Sequence, residues 1–182
     1  MTMMDTESRY GTVARALHWG MAVLLLLMLA SEVWFEALEH SLPERSLMAW
    51  HQSLGLALFA LVLLRGLWRW LNRARVEPPA HWAMMARLGH LALYALMILM
   101  PFTGLATSLG EGESVTFFGW TLFGYGPEIE WLEDSVEDLH EALAKALWVM
   151  IGLHVAAALA HQYLLGDRIM KRMAGERLNQ QF

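Results

Sequence analysis

Four apolar stretches, each long enough to cross a bilayer, dominate this chain of 182 residues. They run from about 16 to 34, 47 to 71, 88 to 109 and 139 to 165. A hydrocarbon core of about 30 Å needs about 20 apolar residues at the helical rise. Backbone polar groups find no water there, so a span must satisfy its own hydrogen bonds, and continuous runs of this length do so as helices. The expectation is an all-α membrane protein, a four-transmembrane-helix bundle forming one domain over residues 1–182, with membrane lipid as its first partner. Composition agrees, with 57% hydrophobic residues, nine tryptophans and a mean hydropathy of +0.36. The chain has no cysteine. Disulfides, iron–sulfur ligation and thioether-linked haem are thereby excluded. Pro101 is expected to bend the third helix near its far end. Ser135 followed by Asp138 reads as a capping box, so the fourth helix is expected to begin outside the bilayer.

Lys and Arg set the orientation of such a bundle, because short loops rich in them stay cytoplasmic. Arg9 and Arg15 precede the first stretch. Arg65, Arg69, Arg73, Arg75 and Arg87 bracket the link between the second and third, and Arg168, Lys171, Arg172 and Arg177 follow the fourth. The other two loops hold only Arg45, with Lys145 slightly inside the fourth stretch. Both termini are therefore expected to be cytoplasmic. The acids sort the other way. Glu32, Glu36, Glu39 and Glu44 occupy the first outer loop, and Glu111, Glu113, Glu128, Glu130, Glu133, Asp134, Glu137 and Asp138 the second. The basic start and the run ending Leu29-Ala30-Ser31 partly resemble a signal peptide. Cleavage there would leave an odd number of spans, so the first stretch is expected to stay as a helix. No nucleic-acid partner is expected.

Histidine is expensive inside a bilayer, and its presence there is a functional hypothesis by default. His140 and His154 lie fourteen residues apart on the fourth stretch. At about 3.6 residues per turn they share one helix face, about 21 Å apart along the axis. His51 lies near the outer end of the second stretch and His18 near the inner end of the first. Depth therefore pairs His51 with His140 and His18 with His154, each pair joining the fourth helix to a different partner. Two imidazoles facing each other across a bundle suit the two axial positions of a flat macrocycle. Taken singly, His18 and His51 are equally explained as amphipathic tips at headgroup level. His154 is harder to dismiss, since it sits within Ile151-Gly152-Leu153-His154-Val155-Ala156 with no nearby acid. The small residues Gly152, Ala156, Ala157, Ala158 and Ala160 serve either close helix packing or a flat cofactor. Zinc would need its ligands clustered at one point rather than paired at two depths.

His161 lies seven residues beyond His154, about 10 Å further along nearly the same face. His90 lies near the inner end of the third stretch. Both are explained by interfacial placement or contact with a haem propionate. The functional alternative is a quinone site, with imidazole handling protons. Arg65 and Arg69 either pair with propionates or anchor their helix at the inner interface. His40 and His81 fall in loops and receive no role.

The segments Arg15-Ala16-Leu17-His18-Trp19, Trp50-His51-Gln52-Ser53-Leu54-Gly55, Leu88-Gly89-His90, Leu139-His140-Glu141 and Gly152-Leu153-His154 through Ala160-His161 resemble the bacterial cytochrome b561 family. The similarity runs from about Tyr10 to Arg172. It implies a di-haem b cytochrome of the bacterial inner membrane that passes electrons between the periplasmic side and the quinone pool. The family's axial ligands fall on His18, His51, His140 and His154, as iron ligands of two haem b groups. One branch, similar in length and helix count, oxidises superoxide at the outer face and reduces ubiquinone near the inner haem, which would put His161 near the quinone. Superoxide:ubiquinone oxidoreductase is thus the most specific activity implied. The alternative is a membrane-anchor subunit exchanging electrons with a periplasmic dehydrogenase, hydrogenase or cytochrome c. An acidic outer face suits a basic or redox protein partner better than an anion, because charge of like sign slows approach. Lys145, about one and a half turns from His140, is the nearby positive group.

Overall fold

A computed structural model describes residues 2–6, 9–38, 44–72, 76, 82–167 and 169–175. His40 and His81 lie outside the described residues, as do Arg73, Arg75, Arg168 and Arg177. Four long helices form: α1 (Thr12–Leu38), α2 (Glu44–Leu71), α3 (Ala83–Gly110) and α4 (Glu130–Tyr163). All four contain stretches long and apolar enough to span a membrane, at Thr12–Ser31, Leu47–Leu71, Ala83–Gly110 and Glu130–Tyr163. A short helix, α5 (Ile169–Ala174), follows.

The helices outrun the expected spans. The largest difference is α4, which begins at Glu130 rather than near residue 139. Ser135 is therefore inside the helix and caps nothing, and the residue before the helix, Ile129, makes no side-chain cap either. Glu130 at the first position favours the early start, since a carboxylate there faces the positive end of the helix dipole. Helix α3 runs through Pro101.

α1 packs along α2 and α3 along α4, while the two pairs approach each other closely mainly through α2 and α3. A slot is left between the pairs. Its floor is a small core of Met21, Leu58, Val62, Leu93, Met97 and Leu147. On every helix these residues fall between the two levels at which histidines occur. Elsewhere the apolar faces point outward, with Val23, Leu26, Leu63, Leu64, Val149 and Leu153 all at least half exposed. That surface is what lipid would cover.

The link between α3 and α4 carries an element the sequence did not announce. Strands β1 (Val115–Phe117) and β2 (Trp120–Phe123) pair antiparallel, with Phe117 opposite Trp120. The two-residue turn between them has positive φ at both positions, 46° at Phe118 and 89° at Gly119. That geometry matches the twist of a tight hairpin and normally selects Asn-Gly. Phe118 occupies it here because its amide donates to Ser53 Oγ at 2.9 Å, tying the turn to α2. Gln52 Oε1 accepts from the Thr116 amide, and its amide nitrogen reaches Ser108 Oγ and the Ser114 carbonyl. One side chain thus joins α2, α3 and the hairpin.

The first and last described residues lie at the opposite end. Arg15 Nη1 donates to the Ala174 carbonyl at 2.9 Å, and Trp19 Nε1 to that of Met173 at 3.4 Å, so α5 folds back on the start of α1. The N-terminal residues close over the same end. Asp5 accepts from the Gly11 amide at 2.7 Å and faces Arg69 at 3.9 Å. Gly11 has no room for a side chain: a Cβ there would lie 2.3 Å from the Met3 carbonyl oxygen.

Candidate functional site

Histidines face each other across the slot at two levels. At the hairpin end, the ring centroids of His51 on α2 and His140 on α4 are 6.4 Å apart with planes inclined by 70°. At the termini end, His18 on α1 and His154 on α4 give 6.3 Å and 69°. Two imidazoles sharing one metal, each bonded at about 2 Å, have centroids roughly 6 Å apart. Both pairs have that spacing, and they match each other within 0.1 Å.

The hairpin-end pair is held by hydroxyl groups. Thr103 Oγ1 lies 2.8 Å from His140 Nδ1 and donates its own proton to the Met100 carbonyl at 3.0 Å. Having spent its proton, it can only accept from Nδ1–H. Ser31 does the same for His51, donating to the Met28 carbonyl at 2.7 Å while lying 3.4 Å from Nδ1. With the hydroxyl protons on these carbonyls, the arrangement suits rings protonated on Nδ1 with a lone pair on Nε2. A second partner of this kind fixes the tautomer of metal-binding histidines generally. Gly104 gives His140 its place, since a Cβ there would come within 2.9 Å of His140 Cε1. The rings open on a cavity of about 560 Å³ lined by Leu25, Met28, Met97, Met100 and Trp148, with Glu111, Glu137 and Glu141 among its polar residues. Cofactor pockets are commonly of this size and largely apolar.

The termini-end pair has a different neighbourhood. Arg65 Nη1 sits 2.6 Å from His18 Nδ1 and over the Tyr94 ring at 5.9 Å. A guanidinium only donates, so this contact requires the His18 proton on Nε2. A metal at Nε2 would need Arg65 to turn away, and a carboxylate brought into the slot would attract it. His90 is part of this group, its ring 5.4 Å from that of His154. Arg69, by contrast, is turned toward Asp5. Beyond this level, His161 is 5% exposed. Its Nδ1 lies 2.6 Å from Asp167 Oδ2, and the Trp82 ring stands edge-on at 6.1 Å.

The donor set fits haem better than a bare metal ion. Among the described residues, no three His, Asp or Glu side chains converge as a metal site. What the slot offers is two opposed imidazoles per level, a largely apolar cavity at the hairpin-end pair and a glycine where a ring passes close. Lys145, expected to be a local positive site, is neutralised by Glu141 at 2.6 Å one turn away. Thr103, Gly104, Asp167 and Trp82 were not anticipated from sequence. Of these only Asp167 left a trace, directly after the helix-stopping Gly166.

Comparison with known proteins agrees with this arrangement. The profile of the family described as prokaryotic cytochrome b561 matches residues 9–176. "Cytochrome b561 homolog 2" of Escherichia coli (strain K12) is 31% identical over 190 aligned positions, covering 97% of this chain and 96% of the relative. "Probable superoxide oxidase CybB" of Yersinia pestis is 31% identical over 175 positions, covering 92% and 96%. "Cytochrome b561 homolog 1" of Escherichia coli (strain K12) is 28% identical over 130 positions, covering 70% and 74%.

Proposed function

The chain belongs to the prokaryotic cytochrome b561 family of haem b membrane electron carriers, and on that premise we propose that it carries electrons across the bacterial inner membrane, between the periplasmic face and ubiquinone. The termini end is the cytoplasmic one, because the basic residues gather there. Two haem b groups are held, one by His51 and His140, the other by His18 and His154. The observation that carries this reading is the pair of cross-slot histidine contacts with the same spacing and inclination. About 21 Å of α4 separates the two levels. Haem held by these imidazoles would supply one-electron uptake and release at each level.

The chain's own residues supply the rest. Thr103 and Ser31 hold the periplasmic rings in one tautomer. Arg65 is placed to meet a propionate at the cytoplasmic level, His90 stands beside His154 at that level, and His161 lies beyond it on the quinone side. The most specific activity is superoxide oxidation coupled to ubiquinone reduction, by similarity to the Yersinia pestis relative bearing that name. A second reading has a specific observation behind it. Glu111, Glu137 and Glu141 line the periplasmic cavity and Lys145 is paired, a surface that favours a basic protein donor or acceptor.

Purified protein is expected to show two haem b groups per chain by pyridine haemochrome. His51→Ala should remove only the periplasmic haem and His154→Ala only the cytoplasmic one. Retention of both haems in both variants would refute the pairing. Haem reduction on mixing with a superoxide generator, followed by reoxidation with ubiquinone, tests the specific activity. No reduction by superoxide, with rapid reduction by a basic redox protein, would select the second reading.

A further inference from the structure

His161 and Asp167 form a buried imidazole–carboxylate pair, with side chains 7% and 9% exposed. Its geometry is built by the end of α4. Gly166 adopts φ 73°, a left-handed turn that ends helices and favours glycine. The turn brings the Asp167 amide to the His161 carbonyl at 2.9 Å and Oδ2 to Nδ1 at 2.6 Å. A carboxylate accepts at Nδ1 and so leaves Nε2 as the nitrogen that meets a ligand. The pair lies one side chain beneath the outside: Trp82, Tyr163 and Leu164 are 65%, 75% and 81% exposed. Trp82 also holds φ 53°, an unfavourable conformation for a bulky residue that is usually kept for a reason at functional sites. Buried polar atoms without a hydrogen-bond partner include Gln162 Oε1, Trp68 Nε1 and both amide atoms of Asn72, all from this end of the bundle.

We propose that Asp167 is a positioning residue that makes His161 the proton donor to a lipid-soluble quinone entering beside Trp82, an inference resting on the quinone reading above. Reduction of the quinone to quinol consumes two electrons and two protons. A haem held by His18 and His154 would supply the electrons one at a time. At each transfer the His161 Nε2–H bond breaks and a quinone O–H bond forms. Asp167 keeps its hydrogen bond to Nδ1–H throughout, stabilises the imidazolium before transfer and stays ionised. Cytoplasmic water then reprotonates Nε2 for the second transfer.

The test uses the whole haem-loaded protein, reduced and mixed with decylubiquinone or with ferricyanide, which takes no proton. Asp167→Asn is expected to slow quinone-driven reoxidation about a hundred-fold, within the range of a lost acid–base partner. Ferricyanide rates should stay unchanged and the solvent deuterium isotope effect should rise. Asp167→Glu should restore most of the rate. Redox-induced infrared difference spectra should show a carboxylate band in the parent protein that Asp167→Asn lacks. Should Asp167→Asn not fold, His161→Gln must slow quinone alone and abolish the isotope effect. A slow His161→Gln with a parental Asp167→Asn would overturn the role of Asp167 and leave the quinone reading standing. Parental rates in both variants would overturn the quinone reading too.

Discussion

Gly104→Ala adds one methyl group, and the structure says what it meets. The new Cβ would lie 2.9 Å from His140 Cε1 and 3.5 Å from Nδ1. Carbon atoms in good contact stand about 3.5–4.0 Å apart, so the ring must withdraw by roughly 0.6–1 Å. Its hydrogen bond to Thr103 is 2.8 Å long and would be stretched beyond useful length. Overpacking costs about 1–3 kcal/mol and the lost hydrogen bond about 0.5–1.5 kcal/mol. Haem affinity at the His51/His140 level should fall by about ten- to a thousand-fold. The helix itself should gain, because alanine is about 0.8–1.0 kcal/mol better than glycine within a helix. A folding defect is therefore not expected to confuse the result. Haem per chain, by pyridine haemochrome during titration with haem, should drop from two to one, with the His18/His154 haem retained. Two haems bound with parental affinity and reduced spectrum would refute the close-approach reasoning.

Thr103→Val keeps the shape but removes the hydroxyl beside His140 Nδ1, and haem affinity at the His51/His140 level should fall about ten- to a hundred-fold, as for other lost partners of metal-bound histidine. Gln52→Ala deletes the bonds that join the hairpin to α2 and α3; limited proteolysis between residues 112 and 128 should quicken while the four helices remain. Gly11→Ala forces a Cβ against the Met3 and Met4 backbone, so residues 2–6 should detach and become protease-sensitive, with haem content retained.

The histidine pairs were legible because two strong regularities bear on them. Helical period puts His140 and His154 on one face, and the sorting of Arg and Lys turns position along a span into depth. Shared depth then finds partners without any coordinate. What escaped depends on contacts between residues far apart in the chain, which leave no period. Thr103 is a polar residue on an apolar helix and Gly104 a small one, and neither shows in sequence that His140 lies opposite. The hairpin was missed because its strands are three and four residues long and its turn carries Phe118 where Asn is usual. The early start of α4 was missed because apolar content marks the bilayer rather than the helix. Arg69 was expected to meet a propionate or to anchor its helix, but the Asp5–Gly11 contact that sets Asp5 before it has no sequence signal beyond one glycine.

The acid around the hairpin-end cavity sets a prediction that separates its two candidate partners. Glu137 lines the cavity beside His140. A unit charge about 8 Å from an approaching ion contributes about 0.5 kcal/mol in water. Glu137→Lys changes two charges, about 1 kcal/mol, or about five-fold in encounter rate at low ionic strength. Superoxide is an anion, so its reduction of the haem should accelerate five-fold in Glu137→Lys. In the parent the same rate should rise with salt as repulsion is screened over about 8 Å. A basic protein partner should show both effects reversed, slower with Glu137→Lys and slower with salt. Stopped-flow haem reduction at low and physiological ionic strength reads all four rates. If the variant altered neither partner at low salt, electrons would not enter through this cavity, and the periplasmic entry point would have to be sought along the hairpin instead.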